Sequence, residues 1–154
     1  MAELVAVIGL VSSVAGLVDL ASKSAIGLRN AYQTMENAPI TVQRLSKDLD
    51  AFYSATENLA STLRTFNEKG LVLQPQSFNH MDVAIHNCKN TVKLVFTTLK
   101  LEEVESSELR PDIRMSWRNK VRYLFDKGTL EDLLKDLARE KETLNFSLQI
   151  LMMQ

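Results

Sequence analysis

The chain has 154 residues, a length that suits one domain, and 45% of them are hydrophobic, enough to form a buried core. Lys+Arg 18 against Asp+Glu 19 leaves a net charge of -1, so bulk charge does not select for nucleic acid and any basic surface is local. The single cysteine, Cys88, excludes an intrachain disulfide and points to an intracellular setting.

The chain opens with MAELVAVIGLVSSVAGLVDLA, in which the fifteen residues between Glu3 and Asp19 carry no charge. As a helix that run is about 22 Å long at 1.5 Å per residue, short of a hydrocarbon core of about 30 Å. It is too apolar for an ordinary surface helix and too short for a comfortable membrane span. A cleaved signal peptide is disfavoured: the basic n-region is missing, Glu3 stands in its place, and the apolar pattern continues through Leu17, Ala21, Leu28 and Tyr32. The apolar positions Leu10, Val14, Leu17, Ala21, Leu28, Tyr32 and Met35 recur at helical spacing, which predicts one helix to about Met35. Pro39 then ends the pattern and opens the next helix, an antiparallel neighbour.

In that second helix Val42, Leu45, Leu49, Phe52, Thr56, Leu59, Leu63 and Phe66 alternate three and four apart, the seam of a helix packed in a bundle. Gly70 follows as a left-handed C-terminal cap, and Leu71 to Gln76 reads as a loop. A third helix, starting near Ser77, carries Met81, Ile85, Cys88, Val92, Val95 and Leu99. Cys88 lies inside that seam, with no basic or His partner placed to activate it, and reads as a small buried hydrophobe. Periodicity dissolves at the acidic run from Glu102 to Glu108, and Ser106 to Asp112 is the longest expected connection.

A basic segment follows, with Arg110, Arg114, Arg118, Lys120, Arg122 and Lys127 around Trp117, and it is expected to form an additional short helix before the last one. Gly128-Thr129 interrupts it, and Thr129 with Asp132 reads as a capping-box variant. The last helix carries Leu130, Leu133, Leu134, Leu137, Leu144, Leu148 and Leu151. With no strand signal, the expectation is an all-α fold, an up-and-down four-helix bundle forming a single domain over 1–154, read as the front part of a longer protein.

Catalytic chemistry is not legible. GxxxxGK[ST], GxGxxG and HExxH are absent, and His80 and His86 stand six apart, outside the usual ligand spacing. The expectation is a non-enzyme with no catalytic residue, metal or cofactor. Two other features stand out. Gly9, Ser12, Ser13 and Gly16 are paired at four-residue spacing, which lets helices approach closely in lipid, although the same pattern also serves tight packing inside a bundle. The glycines weaken the helix by about 1 kcal/mol each relative to alanine, so it is stable only when surrounded by protein or lipid. The basic segment would complement an anionic leaflet, with Trp117 of the type found at the interface. Nucleic acid is disfavoured because the segment is short and flanked by acidic residues.

The opening Met-Ala-Glu, the Gly-punctuated apolar helix, the Trp117-containing basic segment and the Leu130-x-x-Leu133 to Leu137-x-x-x-Lys141-x-x-Leu144 pattern together resemble the fungal HeLo-like domain. That family is similar to the four-helix bundles of mixed-lineage kinase-like pseudokinases and plant cell-death proteins. The resemblance implies a cytoplasmic cell-death executor that self-associates through a C-terminal amyloid-forming or receptor region, then targets and permeabilises an anionic plasma membrane. Membrane insertion is implied for Leu4, Val5, Val7, Ile8, Gly9, Leu10, Val11, Val14, Gly16, Leu17 and Val18. Headgroup contact falls to Arg110, Arg114, Arg118, Lys120 and Arg122. Related domains also head nucleotide-binding receptors, which leaves a non-lytic oligomerisation or adaptor module as the alternative. The front of the first helix is expected to be sheltered or loosely held in the resting bundle.

Overall fold

The computed structural model describes residues 2–33, 40–70, 73–99, 119 and 128–153, with side chains in the first helix described from Ile8 to Asn30. Four helices account for almost all of it: α1 (Ala2–Gln33), α2 (Ile40–Glu68), α3 (Pro75–Thr98) and α4 (Thr129–Met152). No strand occurs among the described residues. The additional helix and the five basic residues assigned to headgroups fall in 101–127 and lie outside the described residues, Asn119 excepted.

The seams fold inward as their spacing requires. All eight seam residues of α2 are buried, including Thr56, whose hydroxyl donates to the Tyr53 carbonyl at 2.7 Å and so reaches the core satisfied. In α3, Met81, Ile85, Cys88, Val92 and Val95 are buried, and Leu99 follows at its C-cap. In α4 the buried set includes Leu130, Leu133, Leu134, Leu137, Leu144 and Leu151, with Leu148 packed at the edge. The contribution from α1 is Leu10, Val14, Leu17, Ala21, Ala25 and Leu28, a stripe down one side of a helix about 48 Å long.

Helix directions alternate along the chain. The six residues between Glu68 and Pro75 span at most about 25 Å, well under the roughly 43 Å length of α2, so α3 starts at the end where α2 stops. Pairing of Arg29 with Asp50 at one end, and of Val11 and Ala15 with Ala60 and Arg64 towards the other, makes α1 antiparallel to α2. Cys88 beside Glu140 and His80 beside Phe146 do the same for α3 and α4. Chain order and spatial order nevertheless differ: α1 packs on α2 and α3, and α4 packs on the same two. The ring therefore runs α1, α2, α4, α3, with α1 diagonal to α4.

Two helix starts differ from the sequence reading. α3 begins at Pro75, not Ser77, because proline fits the first helical turn, where its missing N–H has no partner to lose, and Gln74 before it is extended. α4 is capped by Gly128 in the left-handed conformation (φ 76°) and not by Thr129. The Asp132 N–H donates to the Gly128 carbonyl at 3.2 Å, so Thr129 is already inside the helix and the capping box does not form. Gly70 does take the left-handed conformation expected of it, φ 65°.

Phe52, the largest of the fully buried side chains, has no exposed surface, so Phe52→Ala is expected to lower unfolding free energy by about 3–5 kcal/mol in a denaturant titration. Gly70→Ala, strained at positive φ but with open space around it, is expected to lower it by only about 1–2 kcal/mol.

Candidate functional site

Because α1 stands at a corner of the ring, two neighbours bury one side of it and leave the other side outward. That outward side carries Ile8, Gly9, Ser12, Ala15 and Gly16, all exposed, before the first charge at Asp19. Ile8 is 48% exposed. Val11 and Val18 are half-buried at the edge of the core. The residues assigned to insertion thus divide by helix face: Leu10, Val14 and Leu17 are core, Ile8, Gly9 and Gly16 face out, and Val11 and Val18 lie between. The side chains of Leu4, Val5 and Val7 lie outside the described residues, although their backbone is helical.

Gly9 and Ser12 are not used for packing inside the bundle, while Gly16 is crossed by a lysine of α3. Gly9, Ser12 and Gly16 are exposed and Ser13 is half-buried. A Cβ on Gly9 would meet nothing within 4 Å, whereas one on Gly16 would stand 3.2 Å from Lys89 Nζ and 3.4 Å from its Cε. The Lys89 side chain, reaching over from α3, therefore lies across α1 at Gly16, where α1 has no side chain to obstruct it. On the opposite flank, Val11, Ala15 and Val18 of α1 and Ala60 and Arg64 of α2 line a groove of about 220 Å³.

Along α1 the polar attachments are unequal. In the back half Arg29 pairs with Asp50 of α2, across a partly exposed contact of modest worth. Among the described residues Asp19 pairs within its own helix, with Lys23 at 3.3 Å. Ser24 is fully buried, and its hydroxyl has no hydrogen-bond partner, a defect that typically costs about 1–3 kcal/mol. Among the described residues, the front half of α1 is attached to the bundle by apolar contact, chiefly through Leu10, Val14 and Leu17.

By length and composition, Ile8–Asn30 is one stretch of helix sufficient to cross a membrane, and only 33% of the window tested is buried in the bundle. It is longer than the uncharged run because it takes in Asp19, Lys23 and Arg29. A core helix or a signal sequence passes the same test, so the outward face is the more specific feature.

Elsewhere the titratable groups are structural. Cys88 is fully buried, and its thiol lies 3.8 Å from the Glu140 carbonyl and 3.9 Å from Glu140 Oε2, with the S–H as donor. Burial, reinforced by the Glu140 charge and hydrogen bond, pushes that thiol up to about 12, far from the range of a nucleophile. Glu140 is only 6% exposed, and its other contact is Arg139 Nε at 3.4 Å. Seam spacing alone marks this carboxylate as buried, since Glu140 stands three after Leu137 and four before Leu144, although its residue type and charged neighbours point to solvent. His80 packs edge-on against Phe146 at 5.3 Å with its Nε2 unpartnered, while His86 is exposed on α3. No group of three metal-ligating side chains occurs among the described residues. Comparison of the chain with family models, with characterised proteins and with solved structures returns no match.

The Cys88 thiol gives a pH signature. The unfolded chain releases this proton from about its ordinary value of 9.0, while the folded chain holds it to about 12, so rising pH favours unfolding across that window. Denaturant titrations at pH 8 and pH 10.5 are expected to show a larger loss of stability in the native protein than in Cys88→Ala. At pH 8 the native thiol is expected to react with a maleimide only as fast as the bundle opens.

Proposed function

We propose that this domain is a membrane-targeting, membrane-permeabilising cell-death execution module, non-enzymatic, that acts through the front half of α1 when copies of it are clustered. The carrying observation is the uncharged outward face of α1, in which Ile8, Gly9, Ser12, Ala15 and Gly16 meet solvent on a helix whose other side is core. A helix apolar on all sides is ordinarily surrounded, by protein or by lipid. Here protein surrounds it on one side only.

The energetics favour exchange of protein for lipid. Leu10, Val14 and Leu17 are withheld from water in the bundle, and burial of such side chains contributes about 1.5–3 kcal/mol each. Hydrocarbon would withhold them equally, so the exchange is close to neutral for that stripe. It is favourable for Ile8, Val11 and Val18, which the bundle covers only in part. The opposing term is the core vacancy left between α2 and α3, which clustering and lipid contact have to offset. In this reading the protein rests in the cytoplasm and is recruited to an anionic plasma membrane on activation, with a C-terminal amyloid-forming or receptor region supplying the trigger.

A non-lytic oligomerisation or adaptor module is the second reading. Val83 and Leu94 on α3 and Phe146 on α4 support it, each about half exposed.

Val14 is a poor test position, because an aspartate at this fully buried site would unfold the bundle. Ile8→Asp and Ser12→Asp sit on the outward face and are expected to leave the thermal melt within a few degrees of the native value. Each is expected to reduce dye release from anionic liposomes at least tenfold, since an aspartate in a membrane-inserted helix costs about 2.5–3.5 kcal/mol at the bilayer centre. Undiminished release in both variants would remove α1 from the mechanism, whereas no release by the native protein would favour the non-lytic reading.

A further inference from the structure

Two cations bracket the front half of α1 from opposite sides, and neither has a carboxylate partner among the described residues. Arg64 of α2 stands at the groove formed with Val11, Ala15, Val18 and Ala60. Its Nε donates to the Ala60 carbonyl at 3.3 Å, which fixes the base of the guanidinium, and neither terminal nitrogen has a hydrogen-bond partner among the described residues. Lys89 of α3 crosses α1 at Gly16. The two meet α1 at adjacent residues, Ala15 and Gly16, so they lie at one level of the bundle on either side of an uncharged ridge. The nearest anion along that ridge, Asp19, is already paired with Lys23.

We propose that Arg64 and Lys89 form a headgroup-binding pair for anionic phospholipids of a bilayer surface, which docks the bundle with the outward face of α1 against the membrane. The groove is smaller than the pockets of about 300–1,000 Å³ that enclose whole ligands, so it suits one part of a larger occupant. An anionic lipid supplies both chemistries in the right order, a phosphate for the guanidinium fork and aliphatic carbon for Val11, Ala15 and Val18. Charge complementarity selects this occupant over a neutral apolar one, because Arg64 at the rim would be left unpaired beneath an uncharged cover. The site rests on the membrane reading above and extends it, since these residues are distinct from the basic segment 110–122. It also gives the encounter an orientation: headgroup contact at Arg64 and Lys89 brings Ile8 and Ser12 to the lipid before α1 has to leave the bundle.

Co-sedimentation of the full chain with phosphatidylserine-containing and pure phosphatidylcholine vesicles tests this. Expected is binding to the anionic vesicles, weakened about fivefold in Arg64→Gln and in Lys89→Gln and about 25-fold in the double variant, as for loss of one and two basic residues near an anionic leaflet. Arg64→Lys should keep most of the affinity. Lys135→Gln, on α4 across the bundle from α1, should change it less than twofold. Circular dichroism melts establish that each variant is folded. Tight binding to anionic vesicles that Arg64→Gln and Lys89→Gln leave unchanged, or that Lys135→Gln weakens equally, overturns this site while leaving membrane targeting intact. Absence of any binding to anionic vesicles by the native chain overturns both.

Discussion

A helix that is apolar on every side cannot be satisfied at the corner of a four-helix ring. The ring order α1, α2, α4, α3 gives α1 two neighbours and leaves its diagonal partner, α4, to the far side. One stripe, Leu10 to Leu28, is buried between those neighbours, and the remaining surface stays outside whatever its composition. For α2, α3 and α4 this is harmless, because their outward faces are largely polar and charged. In α1 it strands an uncharged face in solvent from Ile8 to Gly16, and the account of the domain follows from that mismatch between sequence and position.

The core adds a second kind of strain. Ser24 in α1 is buried with an unsatisfied hydroxyl, and Glu140 in α4 is buried with a thiol and an exposed arginine for company. A buried carboxylate with such partners is weak evidence of stabilisation, since its desolvation opposes the gain from pairing. The two defects lie on diagonal helices, so both the α1 side and the α3–α4 seam carry polar groups that a purely apolar core would avoid. A bundle built this way is held by its aliphatic stripes, with polar contacts contributing little.

The seams were readable because periodicity is a property of each helix by itself. Val42 to Phe66 in α2 and Met81 to Leu99 in α3 are buried as their spacing predicts, and Cys88 is the inert core residue its surroundings suggested. The ring order was not readable, because short connections fix direction but leave open which helices become neighbours. For the same reason Arg64 and Lys89 are not legible as a pair: in sequence each is one cation on a polar face, and only the packing of α2 and α3 on α1 brings them to Ala15 and Gly16. The small residues Gly9, Ser12 and Gly16 are compatible with either lipid or protein packing; the outward position of Gly9 and Ser12 argues against the second, while Gly16 makes room for Lys89. Local capping differs from its sequence signal at Thr129, since a left-handed glycine just before a helix has no side chain to mark it as the cap.

The central claim is that the outward face of α1 meets lipid while the rest of the bundle stays in water. Because Cys88 is buried and unreactive, a cysteine introduced by Ser12→Cys can carry an environment-sensitive fluorophore selectively, with Asn145→Cys on exposed α4 as the reference. Adding anionic vesicles is predicted to shift the position-12 emission to the blue with a several-fold rise in intensity, and to leave position 145 unchanged. An unchanged spectrum at position 12 under conditions where the protein co-sediments with the vesicles would contradict the account.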